Sequence, residues 1–382
     1  MAIGIIAEYN PFHRGHRYQI TEIRRRFGDV PIVAAMSGSF TQRGEPAILD
    51  KWTRARLAIL GGVDLIFELP TNFVIRSAQD FARGGVELFS KLGSISNLAF
   101  GAEIDDLATL EKIARGIDSK SGQDRIRRGI ESGLSYAAAV DSAFEDQIFH
   151  QPNNLLAIEY LRSLKKTSIK PILIPRIDAY YNEANLRNGI SSAKSIRLEV
   201  TKKSPDWNKI ESAGDQNLVL ELQKSMKNFP NLENLFRILL AKLWTMDQNQ
   251  LRRIRGVNEG IENRILQASQ KSSSYLDLIE RVRSKRYTRT RIARILLNIM
   301  LGIDRDRFDE IQYARILAFN QRGRKILRDL KKSSSIPIIT KISGHRELLE
   351  LDITAANLWG LSLSKILPPF QDFFNSPIYL EY

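Results

Sequence analysis

Five short apolar runs rich in β-branched residues punctuate the first half of the chain: AIGIIAE (2–8), PIVAAM (31–36), VDLIFELP (63–70), NLAFGAE (97–103) and PILIPR (171–176). Nearly continuous apolarity over so few residues predicts strands buried on both faces, as in a parallel sheet. Between them, HRGHRYQITEIRRRFG, DKWTRARLAILGG and SAQDFARGGVELFSKLG carry helical spacing and close on glycine, where a helix commonly ends. Strand and helix alternate, so the expected fold is α/β: a Rossmann-like domain with a mostly parallel sheet covered by helices. A helical insertion is expected over about 105–165. The polar, turn-rich stretch KSPDWNKIESAGDQN (203–217) marks the expected junction, giving domains 1–205 and 206–382.

Beyond the junction the apolar spacing becomes mainly helical. NLFRILLAKLWTM, EGIENRILQASQ, SYLDLIERVRSKRY and RIARILLNIMLGI place apolar residues at i, i+3, i+4 and i+7. SIPIITKI (335–342) reads as either a strand or a buried turn. No internal repeat, heptad array or low-complexity tract is found.

Charge changes the picture more than composition does. Lysine and arginine total 57 against 43 acids, a net charge of +14, which favours a polyanionic partner such as nucleic acid. Cysteine is absent, so disulfides and thiolate metal sites are excluded and a reducing cytoplasm is the expected compartment. No secretory signal is expected from the N-terminal residues. No uncharged apolar stretch approaches the roughly 20 residues of a membrane span.

The chain has four histidines, and two of them, His13 and His16, sit in FHRGH between the first strand and the first helix. At such a turn, backbone N–H groups and the helix dipole favour phosphate. Neither a Walker loop nor a GxGxxG fingerprint occurs. Two imidazoles at this spacing offer another route: their ring N–H groups can stabilise charge on an α-phosphate under attack. On the local residues alone they can equally be capping groups. A zinc pair is disfavoured, because only His150 and His345 remain as further histidine ligands. No metal site is expected.

FHRGH resembles the HxGH motif of the nucleotidyltransferase superfamily. Longer strings narrow the resemblance: GIIAEYNPFHRGHRYQI, MSGSFTQRGEPAILDKW, GVDLIFELP, FARGGVELF, FGAE, QPNNLLAIEY, SSAKSIR, EGIENRI, YTRTRIARIL and LAFNQRGRKIL, followed by IPIITK. In that order, over nearly the whole chain, they resemble the tRNA(Met) cytidine acetate ligase family. The resemblance implies an enzyme that activates acetate with ATP to acetyl-adenylate. It then transfers acetyl to N4 of the wobble cytidine of elongator tRNA(Met), with Mg²⁺ arriving on the nucleotide. A small-molecule adenylyltransferase of the same superfamily is the alternative.

The resemblance also assigns residues. Its ATP stretch falls on Ile6, Ala7, Glu8, Tyr9, Asn10, Pro11, Phe12, His13, Arg14, Gly15, His16, Arg17, Tyr18 and Gln19. Catalysis falls to His13 and His16, with Gly15 giving close backbone access. Gly101, Asn153 and Arg176 match further ATP positions. Asn153 is also a candidate N-cap, and Arg176 a candidate partner for an acid. Ser192, Lys194 and Arg197 in SSAKSIR match a phosphate-closing loop, with Lys194 replacing a threonine. Arg14, Gln19 and Ser39 also depart from the family pattern. Gln42, Arg43 and Glu45 follow the second strand, where Arg43 suits an acetate or phosphate.

In the helical half, RVRSKRYTRTRIARI is basic without an acid, and its Arg281, Arg283, Lys285, Arg286, Arg289 and Arg291 are the expected tRNA contacts. Tyr287 is a candidate for stacking on a base. RRIRG (252–256) and QRGRKILRDLKK (321–332) are candidate extensions of that surface.

Overall fold

The computed structural model describes residues 1–144, 151–176, 191–307 and 309–381. Strands β1 (Ala2–Ala7), β2 (Ile32–Ser37), β3 (Leu65–Leu69), β4 (Ile95–Ala102) and β5 (Lys170–Pro175) fall on the five apolar runs. Helices α1 (Arg14–Phe27), α2 (Lys51–Leu60) and α3 (Ala78–Leu92) fall between them and meet Gly28, Gly61 and Gly93 at their C-caps. The expected insertion holds three helices within 107–144, followed by α4 (Pro152–Leu164).

The sheet order is β5-β4-β1-β2-β3, all parallel. From β1 the chain winds outward to β2 and β3, then crosses to β4 on the other side of β1. The switch point therefore lies at the C-terminal ends of β1 and β4, where ligands bind in such sheets. Alternation along β2 builds both layers. Ile32, Ala34 and Met36 pack with Ile20 and Ile23 of α1 and Ala58 and Ile59 of α2. Val33 and Ala35 face Phe81, Val86 and Phe89 of α3. Gly4 is needed in the central strand, because an added Cβ would lie 2.7 Å from the Phe89 ring.

The second half is not confined to helices. ARILAFN forms β6 (Ala314–Asn320), which pairs antiparallel with β3. The short strands β7 (Ile338–Ile339) and β8 (Ile378–Leu380) pair parallel with β6. SIPIITKI thus resolves as a strand of two residues. The segment at 203–217 is not an open linker either: Ile210 and Ala213 join the core under α1 and α2. A cut at residue 205 would divide one continuous sheet and both of its layers.

A buried charge cluster fastens the C-terminal segment to this sheet. Lys51 Nζ lies 2.9 Å from Glu68 and 2.7 Å from Asp372, and Arg315 lies 3.1 Å from Glu68 and 2.7 Å from Asp372. All four side chains are at most 3% exposed. Two cations thus offset two anions. No helix among the described residues is long and apolar enough to cross a membrane.

Candidate active site

β1 ends at Ala7, and its chain turns through a cis Asn10–Pro11 peptide into α1, with His13 as the N-cap. The capping is reciprocal: His13 Nδ1 accepts the Gly15 N–H at 3.0 Å, and His16 Nδ1 accepts the His13 N–H at 3.2 Å. A ring nitrogen that accepts a backbone N–H carries no proton, so each neutral imidazole holds its proton on Nε2. The ring centroids are 3.9 Å apart, and both side chains line one cavity of about 280 Å³. The capping expectation holds for both residues, and it leaves each ring's Nε2–H outside the cap.

Both rings are held neutral. Burial, then Arg176 and Arg197, pull His13 down to about 3, and burial followed by His13 and Arg176 holds His16 well below 6.5. Unfolding restores an ordinary imidazole near 6.5. The unfolded chain therefore binds the extra proton between these values, and stability that is full above pH 6.5 is lost as pH falls towards 3. His13 should contribute up to about 1.4 kcal/mol per pH unit in that window. His13→Asn keeps a good N-cap, and denaturant melts should show a shallower acid slope. An identical slope would remove His13 as the titrating group.

The cavity gathers Ile6, Ala7, Glu8, Tyr9, Asn10, His13, His16, Gln19, Gly101, Asn153, Arg176, Ser192, Lys194 and Arg197 from the sequence assignment. Gln42, Arg43 and Glu45 join them. Pro11, Phe12, Arg14, Gly15, Arg17 and Tyr18 do not line it. Phe12 is buried below the turn, Arg14 is exposed, and Tyr18 packs against the core under α1. Arg17 forms an ion pair with Asp215. Gly15 serves the cap rather than the cavity wall.

Other positions acquire specific partners. Helix α5 (Ala193–Val200) opens on Ser192, whose Oγ accepts the Ser195 N–H at 3.1 Å, so its N-terminus meets the cavity. Arg197 donates to the Asn10 carbonyl at 2.7 Å, joining α5 to the histidine turn. Asn153 is not the N-cap of α4, a position held by Gln151; its Nδ2 donates to Glu103 at 2.5 Å. Burial lowers the Arg176 guanidinium from its ordinary value, opposed by the same Glu103, and a Cβ on Gly101 would lie 3.2 Å from the Arg176 side chain. Gln19 reaches the Ala99 carbonyl at 3.4 Å.

Sequence reasoning missed the apolar lining: Phe81, Phe100, Leu155, Leu156 and Tyr160. Phe100 precedes Gly101, and Leu156 and Tyr160 follow Asn153 along α4, so adjacency to assigned residues was the available signal. The Phe100 and Tyr160 rings meet at a tilt of 45°, with centroids 5.7 Å apart.

A second cavity, of about 1060 Å³, adjoins the first and shares Gln42, Arg43, Ala78 and Leu155 with it. Eight arginines and three aspartates line it. Helix α6 (Arg289–Leu301) and its approach contribute Arg286, Arg291 and Arg294. Of the expected RNA residues, only Arg286 and Arg291 lie there. Arg281 pairs with Asp277 at 2.9 Å, Arg283 with Glu280 at 3.5 Å, and Arg289 also with Glu280, while Lys285 is exposed outside the cavity. Tyr287 cannot stack on a base in this arrangement. It is 7% exposed, its hydroxyl donates to the Asn258 carbonyl, and the Arg291 guanidinium covers its ring at 4.1 Å. Arg255 of RRIRG lines the cavity, whereas no residue of 321–332 does.

A neutral histidine pair at the switch point of a parallel sheet, facing cationic side chains, defines a nucleotidyltransferase, and residues 1–369 match the HIGH Nucleotidyl Transferase family. The tRNA(Met) cytidine acetate ligase of Acetivibrio thermocellus is 37% identical, with 94% of each chain covered. That of Clostridium tetani is 36% identical over 98% of each. The crystal structure of Thermotoga maritima TmcAL superposes with a TM-score of 0.91 at 29% identity, covering 100% of both chains. Its form bound with alpha-thio ATP gives 0.90. The chain belongs to the tRNA(Met) cytidine acetate ligase family.

Proposed function

We propose that this chain activates acetate with ATP and acetylates N4 of the wobble cytidine in elongator tRNA(Met). The observation that carries the reading is the junction of two cavities of different size and charge through Gln42, Arg43, Ala78 and Leu155. The smaller, with its histidine pair, suits a nucleotide. The larger, lined with arginine, suits an RNA loop that must present an unstacked base. A small-molecule adenylyltransferase would have no use for the second. The relatives' names and the alpha-thio ATP bound to Thermotoga maritima TmcAL support the same assignment.

ATP would place its phosphates towards His13, His16, Arg176, Lys194, Arg197 and the N-terminus of α5, where cations and helix dipole favour anions. Acetate oxygen attacks the α-phosphorus, pyrophosphate leaves, and the Nε2–H groups stabilise the charge that builds on the phosphoryl oxygens. Arg43 is suited to hold the acetate carboxylate. Mg²⁺ would arrive carried by the triphosphate. Bound there, it would neutralise phosphate charge.

Labelled acetate, ATP and a tRNA(Met) transcript should yield label in the RNA. Pyrophosphate release that needs a small nucleotide and ignores acetate and tRNA would defeat the reading. Neutralising Arg286 and Arg291 should weaken tRNA binding and reduce the salt slope, log K against log salt, by about one to two units. Neutralising Arg289, outside the cavity, should change it much less. Equal effects would move the RNA path off this groove.

A further inference from the structure

Acetyl transfer to an amine releases one proton for each amide bond made, and a base at the junction of the two cavities would take it directly from the attacking amine. The histidines cannot. Each Nδ1 lone pair is occupied by a backbone N–H, which leaves Nε2 as a donor. The lysine and arginines of the lining are cations, and Tyr9 and Tyr160 are buried phenols whose ionisation is suppressed. Only two carboxylates line the smaller cavity among the described residues, Glu8 and Glu45.

Glu8 is the one fixed at the junction. It stands directly after β1, and its carboxylate accepts the Gln42 N–H at 2.7 Å. Gln42 belongs to both cavities, and its carbonyl accepts a hydrogen bond from Arg294 of α6 at 3.2 Å. Gly44 seals the same loop against α6: its φ is +78°, and an added Cβ would lie 2.8 Å from the backbone at Ala293 and Arg294. The loop that walls the arginine-lined cavity thus also holds the Glu8 carboxylate.

We propose that Glu8 is the base of the acyl-transfer step, a role that rests on the acetate-ligase reading above. The cytidine amine enters past Gln42 and Arg43 and attacks the carbonyl carbon of acetyl-adenylate, forming the C–N bond. The bond from that carbon to the phosphate oxygen breaks, and AMP leaves with the electron pair. The amine proton passes to the Glu8 carboxylate and from there to solvent through the larger cavity.

Burial raises the Glu8 carboxyl above 4.5, opposed by the Gln42 N–H, Arg197 and Arg43 and reinforced by Glu45. Arg54 and Tyr160 also feel its charge, and His13 and His16 share the cavity. Transfer needs the ionised form, so its rate should rise with pH through the Glu8 titration.

The test separates the two half-reactions. Acetate-dependent exchange of labelled pyrophosphate into ATP, without RNA, reads adenylate formation. Single-turnover label transfer to a tRNA(Met) transcript reads the second step. Glu8→Gln should slow transfer about 100-fold or more beyond any change in exchange and flatten its rise with pH. Glu8→Asp should recover part of the transfer rate and keep the pH dependence. Equal loss of both steps would make Glu8 a binding or structural residue and overturn the proposal, as would an unaltered pH profile in Glu8→Gln. No acetate-dependent exchange in the wild-type protein would instead overturn the ligase reading, and this proposal with it.

Discussion

Replacing His16 with alanine should lower acetyl-adenylate formation about 100- to 1,000-fold, the usual cost of one preorganised donor to developing oxygen charge, while tRNA(Met) affinity stays within about twofold. The magnitude follows from the tautomer. The His13 backbone N–H occupies His16 Nδ1, so the ring carries its proton on Nε2 as a ready donor before substrate arrives. Burial keeps the ring neutral, so donation needs no prior proton uptake. His13→Asn sharpens the test, because asparagine still caps α1 but presents no imidazole Nε2–H. It should fold with near-wild-type stability and lose adenylation to a similar extent. Loss of tRNA binding or of folded protein in both variants would reduce the histidines to structural caps.

The second large effect concerns stability. Lys51→Met should cost about 3–5 kcal/mol of unfolding free energy, because it leaves Glu68 and Asp372 sharing the single cation Arg315 in a buried site. Protonation relieves the excess negative charge, so the deficit should shrink as the pH of the urea melts is lowered from 7 towards 5. Adding Asp372→Asn restores charge balance and should recover part of the loss. A single variant as stable as the wild type would mean that the cluster contributes packing rather than charge pairing.

Several features of this molecule were legible from local pattern. Apolar runs separated by Gly-terminated helical spacing specify parallel strands and their connections, because both signals act over one element. The HxGH turn was legible for the same reason: cap, helix start and imidazole pair all lie within Phe12–Arg17. Lys194, Arg197 and Arg176 were reached through resemblance, since nothing local in SSAKSIR or IPRID says which cavity they face. ARILAFN lies in the half of the chain where apolar spacing is mainly helical, and a run followed directly by QRGRKIL has no boundary of its own. Pairing with β3, more than 240 residues earlier in the chain, makes it a strand.

The basic run from 281 to 294 illustrates a different limit. Its sequence contains no acid, yet Asp277, Glu280 and Glu259 approach Arg281, Arg283, Arg286 and Arg289 in the folded chain. Charge content is additive along a sequence, whereas the field at a surface depends on which carboxylates packing brings near.

The amino-acid order by itself determined an α/β chain with a phosphate-seeking turn after its first strand, because strand burial, helix capping and imidazole spacing are short-range properties. Tertiary structure alone decided that the C-terminal segment completes the sheet and which arginines face a cavity. It also decided that Glu8 meets the loop between the two cavities. These depend on contacts between residues far apart in the chain, whose geometry is set by the packing of the whole core.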